Sequence, residues 1–235
     1  MSSRTANGGA RRQGFPFFVA HRAGNDLAQL RAAEELGLDL VEADVRLFRG
    51  RLEVRHLKTL GPIPVLWDRW QLANPLAPRL RLGELLAATG SQTELMLDLK
   101  GRSPRLATNV LAALRPMLGS RSVTICARAW ALLDPFETLP GVRTIHSVGN
   151  ARQLQALLRL GRRRRLQGIS IHERLLSPAT VAELRSVADL VMTWPANAAG
   201  RARELVAMGV DGLITDRLDL AHELRHVAPA GKTAA

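Results

Sequence analysis

The chain has 235 residues, 46% of them hydrophobic and 23% charged, with a single cysteine, Cys126. That much apolar material can build a large core, so disorder is excluded for most of the chain, and one cysteine excludes an internal disulfide or a thiolate metal cluster made from one chain. With 33 basic against 21 acidic residues the formal net charge is +12, a balance that draws phosphates, anionic lipid headgroups or nucleic acid, although the arginines are scattered and much of the excess reads as solvated surface.

Residues 1–14 are small, polar and basic and predict a disordered tail, with no apolar stretch that could serve as a signal peptide. No run approaches the roughly eighteen apolar residues of a membrane span, and the expectation is a soluble, cytoplasmic protein. From there β-type runs alternate with helical patterns. Strands are predicted at 15–20, 39–45, 94–99, 122–126, 142–147, 168–172, 189–194 and 211–215. Helices are predicted at 26–37, 82–89, 103–118, 128–137, 150–160, 177–188, 198–209 and 218–226. Ser103-Pro104 and Ser177-Pro178 mark helix starts, and Gly37 and Gly209 mark helix ends. Eight strand–helix units predict a parallel sheet closed into a (β/α)8 TIM barrel, one domain over residues 15–227. No G-x-G-x-x-G turn follows a strand to favour an open dinucleotide-binding sheet. Residues 228–235 predict a second disordered tail.

Residues 47–82 break the alternation. FRGRLEVRH reads as a short hairpin around Arg49-Gly50, and the Pro- and Trp-rich passage after it reads as a loop or lid insertion on the functional face. Trp67 and Trp70 are expected to pack within that loop rather than to cover a ligand. The run Arg162 to Arg165 reads as a charged helix end, a place where the helix dipole favours cations.

The active site of such a barrel lies at the C-terminal ends of its strands, and polar residues converge there. His21 and Arg22 end the first strand, Glu42 and Asp44 lie near the end of the second, and His56 follows in the hairpin. Asp98 and Lys100 close the third, Trp194 the seventh, and Asp216 follows the eighth. Glu42 and Asp44 are two apart in a strand, so both carboxylates share a face that a barrel normally fills with Val or Ile. Burying two acids together is costly without a cation. With Asp98 they make an oxygen donor set suited to one divalent cation, Mg2+ or Ca2+; the alternative is an ion network with Arg22, Arg46 or Lys100. His21 and His56 can divide general base and general acid between them, while Arg22 and Lys100 offer fixed charge to phosphate oxygens. His146, His172, His222 and His226 read as structural or solvated, with His172 the one placed to touch a pocket.

The stretch HRAGNDLAQLRAAEELGLDLVEADVRLFRGRLEVRH resembles the opening of the glycerophosphodiester phosphodiesterases, with their His-Arg-Gly, Glu-Asn-Thr and Gly-x-Asp-x-x-Glu-x-Asp-Val elements and a second His. LDLKG is similar to their Glu-x-Lys strand, and MTWPANAAGRARELVAMGVDGLITDRLDL to their closing Trp-x-x-Asn and Gly-Val-Asp-Gly-Ile-x-Thr-Asp motif. The resemblance implies a TIM-barrel phosphoric diester hydrolase that converts glycerophosphodiesters to an alcohol and glycerol 3-phosphate. It implies His21 and His56 as the acid–base pair and Glu42, Asp44 and Asp98 as metal ligands. Arg22 and Lys100 would bind phosphate, and Trp194 would wall the pocket. The chain departs from the pattern at Gly24, where the family has Glu, at Leu57, where it has Asp, and at Asp98, where it has Glu. The short entry and the Asp-x-Lys strand also resemble sphingomyelinase D and phospholipase D toxins, which leaves a lysophospholipid phosphodiesterase as one alternative, and the Glu and Asp absent at Gly24 and Leu57 leave a catalytically silent phosphate-binding barrel as another. The expected partner is a small-molecule glycerophosphodiester or lysophospholipid, with peripheral contact to an anionic membrane as a further expectation. Nucleic acid is not expected, because aromatics are 4% of the chain and tyrosine is absent. Nothing in the sequence sets an oligomeric state.

Overall fold

The computed structural model describes residues 16–60, 63–68, 71–73 and 79–226. The expected tails, 1–14 and 228–235, and the expectations for the Trp67 and Trp70 side chains lie outside the described residues, as does the His226 side chain.

The chain opens with β1 (Phe17–Ala20), α1 (Leu27–Glu35), β2 (Leu40–Phe48), β3 (Arg51–Val54), β4 (Lys58–Leu60), β5 (Ile63–Asp68), β6 (Gln71–Ala73) and α2 (Leu82–Ala88). It continues through β7 (Glu94–Leu99), α3 (Pro104–Leu114), β8 (Val123–Ala127), β9 (Val142–Val148), α4 (Ala151–Arg163), β10 (Ile169–His172), α5 (Pro178–Val187), β11 (Val191–Trp194), α6 (Ala199–Ala207), β12 (Gly212–Thr215) and α7 (Leu220–His226). Strands β1, β2 and β7 to β12 run parallel, and β1 pairs with both β12 and β2, so the sheet closes on itself. This is the single-domain (β/α)8 barrel that the sequence predicts, with ends that differ by a few residues.

Local chemistry explains most of the punctuation. Asp26 caps α1 by accepting from the amides of Ala28 and Gln29 at 2.9 and 3.0 Å, and Asn150 caps α4 through Gln153 at 2.9 Å. Pro104 and Pro178 open α3 and α5, where their missing N–H costs nothing. Gly37 and Gly209 leave their helices at φ 62° and 94°, a conformation glycine reaches without a Cβ penalty.

Two expectations are corrected. Residues 128–137 form two 3-10 turns, Trp130–Leu132 and Asp134–Phe136, instead of a helix; Pro135 cannot donate to the ladder and its ring opposes the carbonyl four residues back. Most of the described residues of 47–82 are strand. β3 folds back on β2 as the predicted hairpin, with Arg49 and Gly50 at φ 47° and 78°, and β4, β5 and β6 form a separate antiparallel sheet. Ile63, Val65 and Trp67 alternate in β5 as β-branched and aromatic residues do, and Pro64 falls beside a register shift of the β4–β5 pair, where a strand tolerates proline. The charged helix end is as expected, with Arg162 and Arg163 in the last turn of α4; of the two arginines that follow, Arg164 binds the Glu137 carboxylate through Nη1 and Nη2, and Arg165 binds Asp189 and the Ala188 carbonyl.

Two apolar layers hold the barrel. Side chains facing the helices form a continuous outer core from Phe18 to Leu224. The axis is filled by Val19, Leu40, Met96, Cys126, Ile145, Leu190, Met192 and Ile214. Cys126 is buried there, and burial, with Asp98 adding repulsion, pushes its thiol above its ordinary pKa. His146 is buried on the helix side against Trp130, with ring centroids 5.8 Å apart. Among the described residues no helix is long and apolar enough to cross a membrane.

Close packing between helices supplies a direct test. A Cβ added at Gly161 of α4 would stand 2.6 Å from Val187 Cβ at the end of α5. Replacing a helical glycine by alanine ordinarily stabilises a helix by about 1 kcal/mol, whereas overpacking costs about 1–3 kcal/mol. Gly161→Ala is therefore expected to be net destabilising, lowering Tm in a thermal melt by about 2–4 °C; a rise in Tm would show that the two helices yield freely.

Candidate active site

Along β2, Leu40, Glu42 and Asp44 face the barrel axis at period two, and Met96 and Asp98 of β7, with Lys100 just after it, continue the same alternation. In both strands the lower residue joins the apolar plug and the upper ones turn polar. The parallel register sets Asp44 directly beside Asp98. One oxygen from each of Glu42, Asp44 and Asp98 can be chosen so that all lie within 4.8 Å of one another. Glu42 and Asp44 are almost wholly shielded from solvent, at 2% and 0% relative exposure.

These acids are not equivalent. Burial, reinforced by Asp44, pushes the Glu42 carboxyl well above the usual range, with Lys100 and Asp98 acting in opposite senses. Burial also acts to raise Asp44, but the His56 hydrogen bond, the Lys100 charge and the Asn25 amide outweigh it and hold Asp44 below the usual range. Lys100 Nζ lies 2.9 Å from Asp44 Oδ1 and also pairs with Asp98 Oδ2. Although burial acts to neutralise Lys100, Asp98, Asp44 and Glu42 together keep its pKa raised, so it remains an ammonium. The ion network expected as the alternative to a metal is thus present in part.

His21 follows β1, and its Nδ1 lies 2.7 Å from Asp216 Oδ1, beyond β12. Asn197 anchors that carboxylate: its Nδ2 donates to Asp216 Oδ2 at 2.7 Å while its Oδ1 accepts from the Asp216 amide at 2.9 Å. His56 Nδ1 lies 3.2 Å from Asp44 Oδ2, and its Nε2 is 3.1 Å from Arg22 Nη2. A guanidinium only donates, so His56 Nε2 accepts there and Nδ1–H donates to Asp44. Arg46 fixes this edge of the mouth by donating to the carbonyls of His56 at 3.0 Å and Lys100 at 3.4 Å.

Arg22 is left-handed, at φ 58° and ψ 6°, which turns its backbone N–H onto Glu42 Oε2 at 2.6 Å. Such a conformation is strained in a non-glycine residue and persists where surrounding contacts over-determine it. Asn25, in the turn after it, exchanges two 2.8 Å hydrogen bonds with Asp44, side chain to side chain and backbone N–H to side chain. Trp194 stands across the mouth, edge-on to His172 with centroids 4.7 Å apart.

The barrel thus brings His21, Arg22, Glu42, Asp44, His56, Asp98 and Lys100 to one end, with Trp194 on the same rim. The histidines and Asp44 are positioned by Asp216, which the sequence places after the eighth strand without a role, and by Asn25 and Asn197, to which it gives none. Their signal is present in the sequence, in Asn25 of the GND turn, in W-P-A-N and in the T-D that ends the last strand. The donor set fits a hard divalent ion: the ligand oxygens converge, two of the acids are buried, and no cysteine of the site competes.

Comparison of the sequence with family models and with curated proteins finds no match. Solved structures do match. A glycerophosphodiester phosphodiesterase from Thermotoga maritima is 20% identical, covers 91% of this chain and 100% of its own, and superposes with TM-score 0.72. An Oleispira antarctica phosphodiesterase, solved in complex with the product sn-glycerol-3-phosphate, is 17% identical over 89% of this chain and 97% of its own, with TM-score 0.71. A glycerophosphodiester phosphodiesterase from Parabacteroides distasonis gives 20% identity, 89% and 96% coverage, and TM-score 0.67. The chain has the fold of the glycerophosphodiester phosphodiesterases. Its departure at Gly24 has a packing cause, because a Cβ there would stand 2.7 Å from Ala43 Cβ and 3.0 Å from the Glu42 carbonyl oxygen. Any side chain at that position would require β2 to shift, which accounts for glycine where the phosphodiesterase pattern has glutamate.

The Asp216 contacts yield a pH prediction. The hydrogen bond from His21, opposed by partial burial and aided by Asn197, lowers Asp216 to about 2 from an ordinary 3.8. A depressed folded value stabilises the fold fully above the ordinary value, and that contribution is lost as pH falls through about 2. Carboxyl NMR titration should find Asp216 ionised at pH 3, and His21→Phe should return it toward its ordinary value. An unchanged titration in the variant would remove the pairing.

Proposed function

We propose that this protein is a divalent-metal-dependent glycerophosphodiester phosphodiesterase that releases an alcohol and glycerol 3-phosphate. The observation that carries the reading is the convergence of Glu42, Asp44 and Asp98 at the barrel mouth between two histidines, each with Nδ1 against an aspartate. The fold shared with the Thermotoga and Oleispira enzymes supports it.

Glu42, Asp44 and Asp98 would hold one Mg2+ or Ca2+. The bound cation would supply Lewis-acid polarisation of a phosphodiester oxygen. Lys100, kept protonated by its three acids, neutralises charge that develops on the phosphoryl group. With Nδ1–H committed to Asp216, His21 keeps its Nε2 lone pair for a proton, and so acts as the general base toward water or a substrate hydroxyl. His56 is the acid. Protonated at Nε2 and steadied by Asp44 at Nδ1, it returns a proton to the leaving alkoxide. In the resting site Arg22 donates to that same Nε2, which therefore carries no proton, so Arg22 must swing to the phosphate before Nε2 can take up from solvent the proton it then gives to the alkoxide. Arg22 thereby couples phosphate binding to the availability of the acid. Trp194 walls the substrate.

Purified protein should hydrolyse glycerophosphocholine with Mg2+ or Ca2+ and lose the activity to chelator. His21→Ala and His56→Ala should each lower kcat by about 10²–10⁴-fold. Turnover that persists in chelator would contradict the metal reading, and product analysis yielding only cyclic phosphate would move the reaction to internal attack by a substrate hydroxyl. Binding has its own readout: saturating cation at about 100 times its Kd should stabilise the fold by about 2.7 kcal/mol, and Asp44→Asn should abolish the shift.

A further inference from the structure

The carboxylates, the histidines, Arg22 and Lys100 belong to the half of the mouth made by β1, β2, β7, the segment after β3 and the residue after β12. The other half, from β8 to β11, has a different chemistry. Cys126, Ile145 and Met192 point to the barrel axis, so period two brings Arg128, Ser147 and Trp194 to the axis side one layer higher. Ile169 and Ile171 belong to the outer core, which leaves Ser170 and His172 on the axis side of β10. That wall holds a guanidinium, hydroxyls and rings, and no carboxylate.

Arg128 is exposed and has no hydrogen bond or ion pair among the described residues. Its guanidinium carbon lies 5.8 Å over the Trp194 ring. Its Nη2 is 2.6 Å from where a Cβ at Gly149 would stand, so a side chain at that position would push the guanidinium away from its present place. Glu173, the acid beside His172, is held by Arg201 at 2.8 Å. The arginine is therefore laid on a shelf facing the site, and its fork of donors is left for a ligand.

We propose that Arg128, on the shelf of Gly149 and Trp194, binds a second anionic group carried by the alcohol arm of the diester. The substrate class becomes glycerophosphodiesters whose leaving alcohol itself bears a phosphate or a carboxylate. The inference rests on the phosphodiesterase reading and adds the identity of the arm. A planar guanidinium recognises either anion through paired N–H donors. The same placement disfavours choline-type arms, because the Trp194 face that would receive a quaternary ammonium is covered by a like charge.

The test is the ratio of kcat/KM for bis(glycerophospho)glycerol to that for glycerophosphocholine, with glycerophosphoglycerate as the carboxylate arm. The wild type should favour the anionic arms by about tenfold or more, and Arg128→Gln should erase about tenfold of that preference. Arg128→Lys should restore part of it, and Gly149→Ala, which displaces the guanidinium, should behave like Arg128→Gln. Calorimetry of the same compounds with the His56→Ala protein, with and without Arg128→Gln, reads binding without turnover and should show the same loss for the anionic arms. A wild type without preference, or a ratio unchanged by Arg128→Gln, overturns the inference. If no diester is hydrolysed, the phosphodiesterase reading falls by itself and the calorimetry still decides Arg128.

Discussion

Asp44 is fully buried and still ionised, and that charge organises the candidate site. A lone carboxylate at this depth would be strongly disfavoured, yet Asp44 collects the Lys100 ammonium, the His56 Nδ1–H and the Asn25 amide. Each partner comes from a different part of the chain, so the charge can be satisfied only when the barrel is closed around it. The β2–β7 register that sets Asp44 beside Asp98 is consequently a requirement of both the fold and the chemistry. Glu42, one layer deeper, lacks comparable compensation, and its raised pKa marks the place where a cation would relieve repulsion.

The rest of the mouth follows from layering. Apolar side chains plug the axis below the acids, keep water from beneath and leave the polar groups on one end. The His21–Asp216–Asn197 chain closes the seam where the last strand meets the first. Barrel closure itself therefore brings His21 to Asp216, which lies at the other end of the barrel sequence.

The sequence made much of this legible. Eight strand–helix units were readable from periodicity, and Glu42 and Asp44 stood out because acids alternated where a barrel strand should be apolar. Residues whose work is second-hand were harder to see: Asn25 and Asn197 act by holding another side chain, and Asp216, legible at the mouth, carries no local pattern that states which partner it holds. The 128–137 helix was misread because apolar spacing outweighed Pro135, and β4 to β6 were hidden by prolines that mark turns elsewhere. Arg128 carried no signal, since one arginine among so many gains meaning only from Gly149 and Trp194 beneath it.

The central claim is that three carboxylates share one divalent ion. Anomalous diffraction from crystals soaked in Mn2+ tests it directly. The account predicts a single strong peak within coordinating distance of Glu42, Asp44 and Asp98; a barrel mouth without that peak, or a peak ligated by other residues, would contradict it.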